Sequence, residues 1–184
     1  MRRLIPVIAV LALLPLVLSA PASAGPPLTT LTFTEVPGQP VHGLTVDGVT
    51  FGFQIGGVPS ADARYNSFGP GSASHVQDPS LEGNSSGILA LTFDRPTTVL
   101  EFGIARSCFC TLTPGVSVEL LRPGADRTSS VIGATMSPIG IFAEARFAYN
   151  GPAIQTAVIT FPSPGLAFRF ALDNLTFHRV GAAD

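Results

Sequence analysis

The sequence predicts an all-β domain built as a two-sheet antiparallel β-sandwich of about eight strands. Three observations lead there. Short apolar runs alternate with Gly, Pro, Ser and Asp punctuation throughout residues 25–184. Within those runs apolar residues recur at every second position, the period of a half-buried strand. No window sustains helical periodicity, which leaves a helix-poor α+β arrangement as the weaker alternative.

The strands follow in order. Thr30 to Glu35 is the first, with Leu31 and Phe33 on one face. Val49 to Phe53 is the second, entered through Asp47-Gly48, a pair suited to a tight hairpin turn. Gly87 to Phe93 turns Leu89, Leu91 and Phe93 inward, and Thr98 to Arg106 does the same with Leu100, Phe102 and Ile104, leaving Glu101 on the opposite face. Val116, Val118 and Leu120 form the next inner row. Two further strands fall within Ile139 to Tyr149 and Ala153 to Phe161, and the last runs from Leu166 to about His178.

Two places break the alternation. From Ile55 to Ser86 no strand or helix is evident, and a connection this long in a compact domain is generally a functional or a mobile loop. It gathers Asp62, Arg64, Tyr65 and Asn66, the residues best suited to line a ligand site. The other break lies in the last strand. Leu166, Phe168, Phe170 and Leu172 share one face, but after Asp173-Asn174 the apolar residues Leu175 and Phe177 have the other parity. A one-residue slip predicts a bulge, with Asp173 partly buried at the bend. A carboxylate there needs N–H donors, an Arg or a cation.

The amino terminus reads as a secretory signal over residues 1–24. Arg2 and Arg3 are followed by an apolar run from Leu4 to Leu18, and Ala22-Ser23-Ala24 offers a small-x-small cleavage site. The run is shorter than the roughly 20 residues of a membrane span. A twin-arginine export signal lacks its usual flanking residues, and with no Cys near the cut a lipoprotein is excluded. The domain is therefore expected to be secreted (periplasmic where a second membrane is present) and free of the membrane after cleavage. All ten basic residues are Arg, two of them in the signal, against twelve acids. A mildly acidic domain with no basic run has no footprint for nucleic acid.

Cys108 and Cys110 are the only cysteines. In an oxidising compartment a local disulfide at a bent connection is expected, with two free thiols as the alternative. Neighbours two apart in an extended strand cannot bridge without such a bend. Two thiolates with no nearby His are too few for a closed metal site, and the C-x-C spacing does not suit a thioredoxin-like redox role.

The ordered motifs resemble those of bacterial secreted jelly-roll exoproteins of the PEP-CTERM-associated type. They are Phe33-Thr34-Glu35, Gly48-Val49-Thr50-Phe51, Gly87 to Phe93 followed by Pro96, and Leu172-Asp173-Asn174-Leu175-Thr176-Phe177. The sorting tail of that group is absent, so release rather than anchoring is expected. The resemblance implies a jelly roll similar in fold to carbohydrate-binding ones, and a structural Ca2+ tying the first strand to the last through Glu35 and Asp173, completed by carbonyl oxygens.

Catalysis finds less support. Gly83-Asn84-Ser85-Ser86-Gly87 fits the G-x-S-x-G pattern, but a nucleophile elbow needs a strand before the serine and a helix after it, whereas a strand follows here. His42, His75 and His178 share no metal-ligand spacing. The reading is thus a non-catalytic extracellular module that binds a glycan or cell-surface component, with an exposed Tyr65 expected as its platform. A self-associating envelope or matrix protein and a secreted hydrolase are the alternatives.

Overall fold

A computed structural model describes residues 27–124 and 130–178 of the chain; the signal segment and the Gly181 to Asp184 end lie outside them. Among the described residues there are twelve strands, all paired antiparallel, and a single 3-10 turn at Pro164–Leu166. The α+β alternative is thereby excluded. Among the described residues no helix is long and apolar enough to cross a membrane.

The sandwich is organised by two unusually long strands. One is β8 (Gly87–Arg106), whose amino-terminal half pairs with β4 (Val49–Ile55) and whose carboxy-terminal half pairs with β12 (Arg169–His178). The other is β11 (Phe142–Thr160), which runs beside β8 along almost its whole length, with register shifts between Asn150 and Thr156. Sequence reading divides each of these into two strands. The division marks a bend: inward residues are odd-numbered from Leu89 to Phe93 and even-numbered from Leu100 to Ile104, so the strand changes phase as it passes from one layer to the other.

One layer thus holds β3 (Thr45–Val46), β4, the first half of β8, the second half of β11 and β9 (Leu112–Leu121). The other holds β12, the second half of β8, the first half of β11, β7 (Ser80–Asn84), β6 (Arg64–Ser67) and β2 (Gln39–Pro40). β1 (Leu28–Leu31) closes onto the end of β12, and β10 (Ser130–Ile139) pairs with both β9 and β11. A two-residue strand, β5 (Val58–Pro59), caps the edge beside β4.

The core lies between the layers, and aromatic rings bridge them. Phe53 of β4 meets Phe170 of β12 with centroids 6.0 Å apart, Phe93 meets Phe177 at 5.3 Å, and Phe161 stacks on Phe170 at 4.2 Å. Such pairs add to the large apolar burial each ring already provides. Asp47-Gly48 forms the predicted hairpin turn, with φ of 45° and 86°, a pairing that glycine makes possible at its second position. The bulge in β12 is also where the parity slip places it, between Asp173 and Thr176, with Asn174 at φ 54°.

The stretch 55–86 departs from expectation because it is not a single loop. It contains β5, β6 and β7, strands too short and too polar on one face for alternation to register. β10 also has no counterpart in the sequence reading, since its outer positions are mostly exposed and its pattern carries Gly133 and Pro138.

Candidate functional site

The outer face of the second layer carries the chemistry. Residues of β8, β11 and β12 that point away from the core meet there: Glu101, Gly103 and Ala105; Glu144 and Arg146; Ala171 and Asp173. The middle of this floor is small, and a hairpin at 72–77 sits on it. The hairpin closes through Ala73 N donating to Val76 O at 2.9 Å and an isolated bridge between Ser72 and Gln77. Val76 is fully buried against Ala105 and Ala171. Gly103 has to be glycine, because any Cβ there would overlap the backbone carbonyl of His75.

Two carboxylates fasten this hairpin to the sheet. Glu144, almost buried, accepts the backbone N–H of Val76 at 2.8 Å and of His75 through Oε1, and that of Ser74 at 3.1 Å through Oε2. Asp173 accepts the N–H of Gln77 at 3.0 Å and of Asn174 at 2.7 Å. Burial pushes the Asp173 carboxyl above its ordinary range. The amides of Gln77 and Asn174 oppose that rise, while the negative charges of Glu35 and Asp78 add to it.

Beside the hairpin runs an open polar trough made of two cavities of about 270 and 390 Å³ that share Ser74, His75 and Arg146. Its first half reaches Glu101, Asn174 and Thr176, and its second reaches Thr135, Ser137 and Glu144. It therefore crosses four adjacent strands. Arg146 forms an ion pair with Glu101 at the junction. His75 is exposed at the hairpin tip.

A third cavity, of about 200 Å³, opens among Thr32, Thr34, Asp78, Asp173 and Asn174. Glu35 does not line this cavity; its carboxyl accepts from Thr32 N at 2.7 Å and from the hydroxyl of Tyr65 at 2.5 Å. Burial pushes Glu35 up, but the Tyr65 and Thr32 bonds outweigh it and hold the carboxyl below its ordinary value. The same burial and the Glu35 charge push the Tyr65 phenol far above its usual range. The charges of Glu35 and Asp78 both reach Asp173, and the cavity brings Asp78 and Asp173 together with the hydroxyls of Thr32 and Thr34, oxygen donors of the kind that suit calcium. Among the described residues no group of three or more His, Cys, Asp or Glu side chains is placed to hold an ion by itself, so hydroxyl and carbonyl oxygens would have to complete a shell.

The ligand residues expected from sequence are not assembled as a platform. Tyr65 is fully buried between Phe33 and Phe51, with centroids 4.9 and 5.9 Å away, so the expectation of an exposed ring is corrected. Its position in β6 alternates with polar Arg64 and Asn66, and that alternation is what buries it. Both Asp62 oxygens accept from one nitrogen, Nη1, of Arg169 at 2.9 and 3.0 Å, and Oδ2 also accepts Asn84 N at 2.6 Å. Arg64 donates to Gly38 O at 3.4 Å and Asn66 to Val36 O at 3.0 Å.

Ser85 occupies a two-residue turn between β7 and β8, buried and with no partner for its hydroxyl, in a strand–turn–strand setting. His178 is bonded to Thr98 and His42 accepts Phe53 N, so neither meets Ser85. Cys108 and Cys110 lie side by side with Cα atoms 5.3 Å apart at a bend after β8.

The trough residues escaped the sequence reading for a simple reason. Glu144 and Arg146, two apart, share a strand face, but which strand lies beside them depends on the β8–β11 register, and that is a long-range fact.

No family description matches the chain, and no curated protein matches it. Solved structures do. A family 29 carbohydrate-binding module aligns over 84% of this chain and 89% of its own, at 11% identity and a TM-score of 0.46. A family 29 module complexed with cellulohexaose aligns over 82% and 90% at 11% identity and 0.44, and one complexed with mannohexaose over 84% and 92% at 11% and 0.43. The oligosaccharides belong to those proteins.

Proposed function

We propose that this chain is a secreted, non-catalytic β-sandwich module that binds saccharide, and that its site is the trough beside the 72–77 hairpin. The observation that carries the reading is the make-up of that trough. A sugar presents many hydroxyls that both donate and accept, and a site for it needs closely spaced partners of both kinds. Ser74, Thr135, Ser137 and Thr176 supply hydroxyls, Asn174 an amide, Arg146 donors and Glu101 an acceptor, on rigid strands apart from Ser74.

The cavity between Thr32, Asp78 and Asp173 is proposed to hold a structural calcium ion, with Glu35 and Asp173 as its carboxylate ligands. Bound there, calcium would supply positive charge that offsets the carboxylates and joins the segment after β1 to the bulge of β12. A hydrolase finds no support in the buried Ser85.

The test is a soluble glycan panel read by calorimetry with the parent and His75→Ala. Binding to at least one saccharide, weakened about tenfold or more by the substitution, is the expected result. A panel with no binder, or a binder indifferent to every trough residue, would overturn the reading.

A further inference from the structure

We infer that the trough takes an acidic saccharide, a uronate-type sugar whose carboxylate is read by Arg146 and His75 on the side away from Glu101. This rests on the saccharide reading and gives it a ligand class. Three observations lead to it.

The first is what the trough lacks. Its one aromatic neighbour, Phe102, is buried and stacked on Phe147 with centroids 4.8 Å apart, so no ring face is offered to a sugar. A neutral sugar in such a site gains no stacking, and most of its hydrogen bonds merely replace ones made to water, only those to Arg146 or Glu101 being charge-assisted on one side. Affinity must come from charge-assisted bonds, which are about twice as strong.

The second is where the nitrogen-bearing side chains lie. Arg146 and His75 line both halves of the trough, so any occupant meets them at its centre. The guanidinium is a planar fork of donors matched to a carboxylate, and only one terminal nitrogen is taken by Glu101.

The third is the asymmetry between the halves. Glu101 borders the smaller half alone. The acid of the larger half, Glu144, has both oxygens committed to the amides of Ser74, His75 and Val76, which offset its charge. The larger half therefore offers the free edge of Arg146, the His75 ring and the hydroxyls of Thr135 and Ser137 to an anion. Its 390 Å³ falls within the size range of small-ligand sites.

Calorimetry of the full secreted chain with oligogalacturonate and oligomannuronate, against cellohexaose and mannohexaose at matched ionic strength, tests this. Acidic oligomers are expected to bind, Arg146→Gln to weaken them by about tenfold or more, and Glu101→Gln to tighten them severalfold by releasing the guanidinium. Both side chains are on the surface, and an unchanged melting curve shows that each variant is folded. Binding of neutral oligomers alone, sensitive to His75→Ala, overturns the acidic assignment while leaving the saccharide reading in place. Acidic binding that survives Arg146→Gln also overturns it, and binding of neither class removes both.

Discussion

Tyr65 donates its phenolic hydrogen to Glu35 Oε2 at 2.5 Å, a bond that joins β6 to the segment after β1 across 30 residues. It explains why a tyrosine rather than a phenylalanine stands between Phe33 and Phe51. The ring fills the core, and the hydroxyl serves a carboxylate at its border.

Tyr65→Phe keeps the ring and removes the bond. It should destabilise the domain by about 1 kcal/mol in urea unfolding at neutral pH in calcium-free buffer. Glu35 is held below its ordinary carboxylate value, so its contribution is present above that value and lost as pH falls through the depressed one. The parent should therefore lose stability more steeply than the variant between about pH 5 and 3. Parallel curves over that range would contradict the account.

Asp173 has the opposite sign. Its carboxyl is raised chiefly by burial, so the ionised form costs stability as pH rises through the raised value, and a cation relieves that cost. Without calcium, the parent should lose stability as pH rises through the raised value, whereas Asp173→Asn, which has no carboxyl to ionise there, should not show that loss. Millimolar calcium should raise the melting temperature of the parent by about 4 °C or more and leave the variant where it was. An unmoved parent would end the calcium proposal.

Glu144→Gln replaces an acceptor-only group with one that turns an NH2 toward backbone donors. Amide hydrogen exchange at residues 74–76 should quicken about tenfold or more while the β8–β11 ladder stays protected. Gly103→Ala should do the same from the other side, since its new methyl collides with the His75 carbonyl. Exchange rates that match the parent in both variants would show that the hairpin is held by something else.

Arg106 is fully buried and forms no ion pair among the described residues. Its guanidinium donates to the carbonyls of Gly115, Pro162, Ser163 and Ala167 and lies over the Phe161 ring at 5.7 Å. Arg106→Lys supplies a point charge where a fork is needed and should cost about 3 kcal/mol in chemical denaturation. A loss under about 1 kcal/mol would mean that the carbonyls find other donors.

The cysteine pair should matter little to the fold. A ring this small restricts the unfolded chain weakly, so replacing both Cys108 and Cys110 by serine should cost about 1.5 kcal/mol or less. Intact mass with and without reductant reports whether the bond is present in the purified protein.

The β class, the Asp47-Gly48 turn and the bulge at Asp173 were all legible, because each is written in neighbouring residues. What was not legible depends on distant ones. Tyr65 read as an exposed platform because its polar neighbours Arg64 and Asn66 suggested a loop, when the same alternation marks a strand with one buried face. Asp62 read as a free ligand because its partner Arg169 lies 107 residues away. The trough is a product of register. Glu101 meets Arg146 only because Arg146 pairs with Gly103 and Ala148 with Glu101 in the β8–β11 ladder.

The two long strands have a mechanical consequence. Because β8 and β11 each belong to both layers, neither layer can melt without breaking strands that the other depends on. Loss of native structure should then occur in a single step for the sandwich as a whole, with only the 72–77 hairpin and the two-residue edge strands free to open beforehand. A ligand held between that hairpin and β10, β11, β8 and β12 would tie the segment that opens first to the strands that yield last.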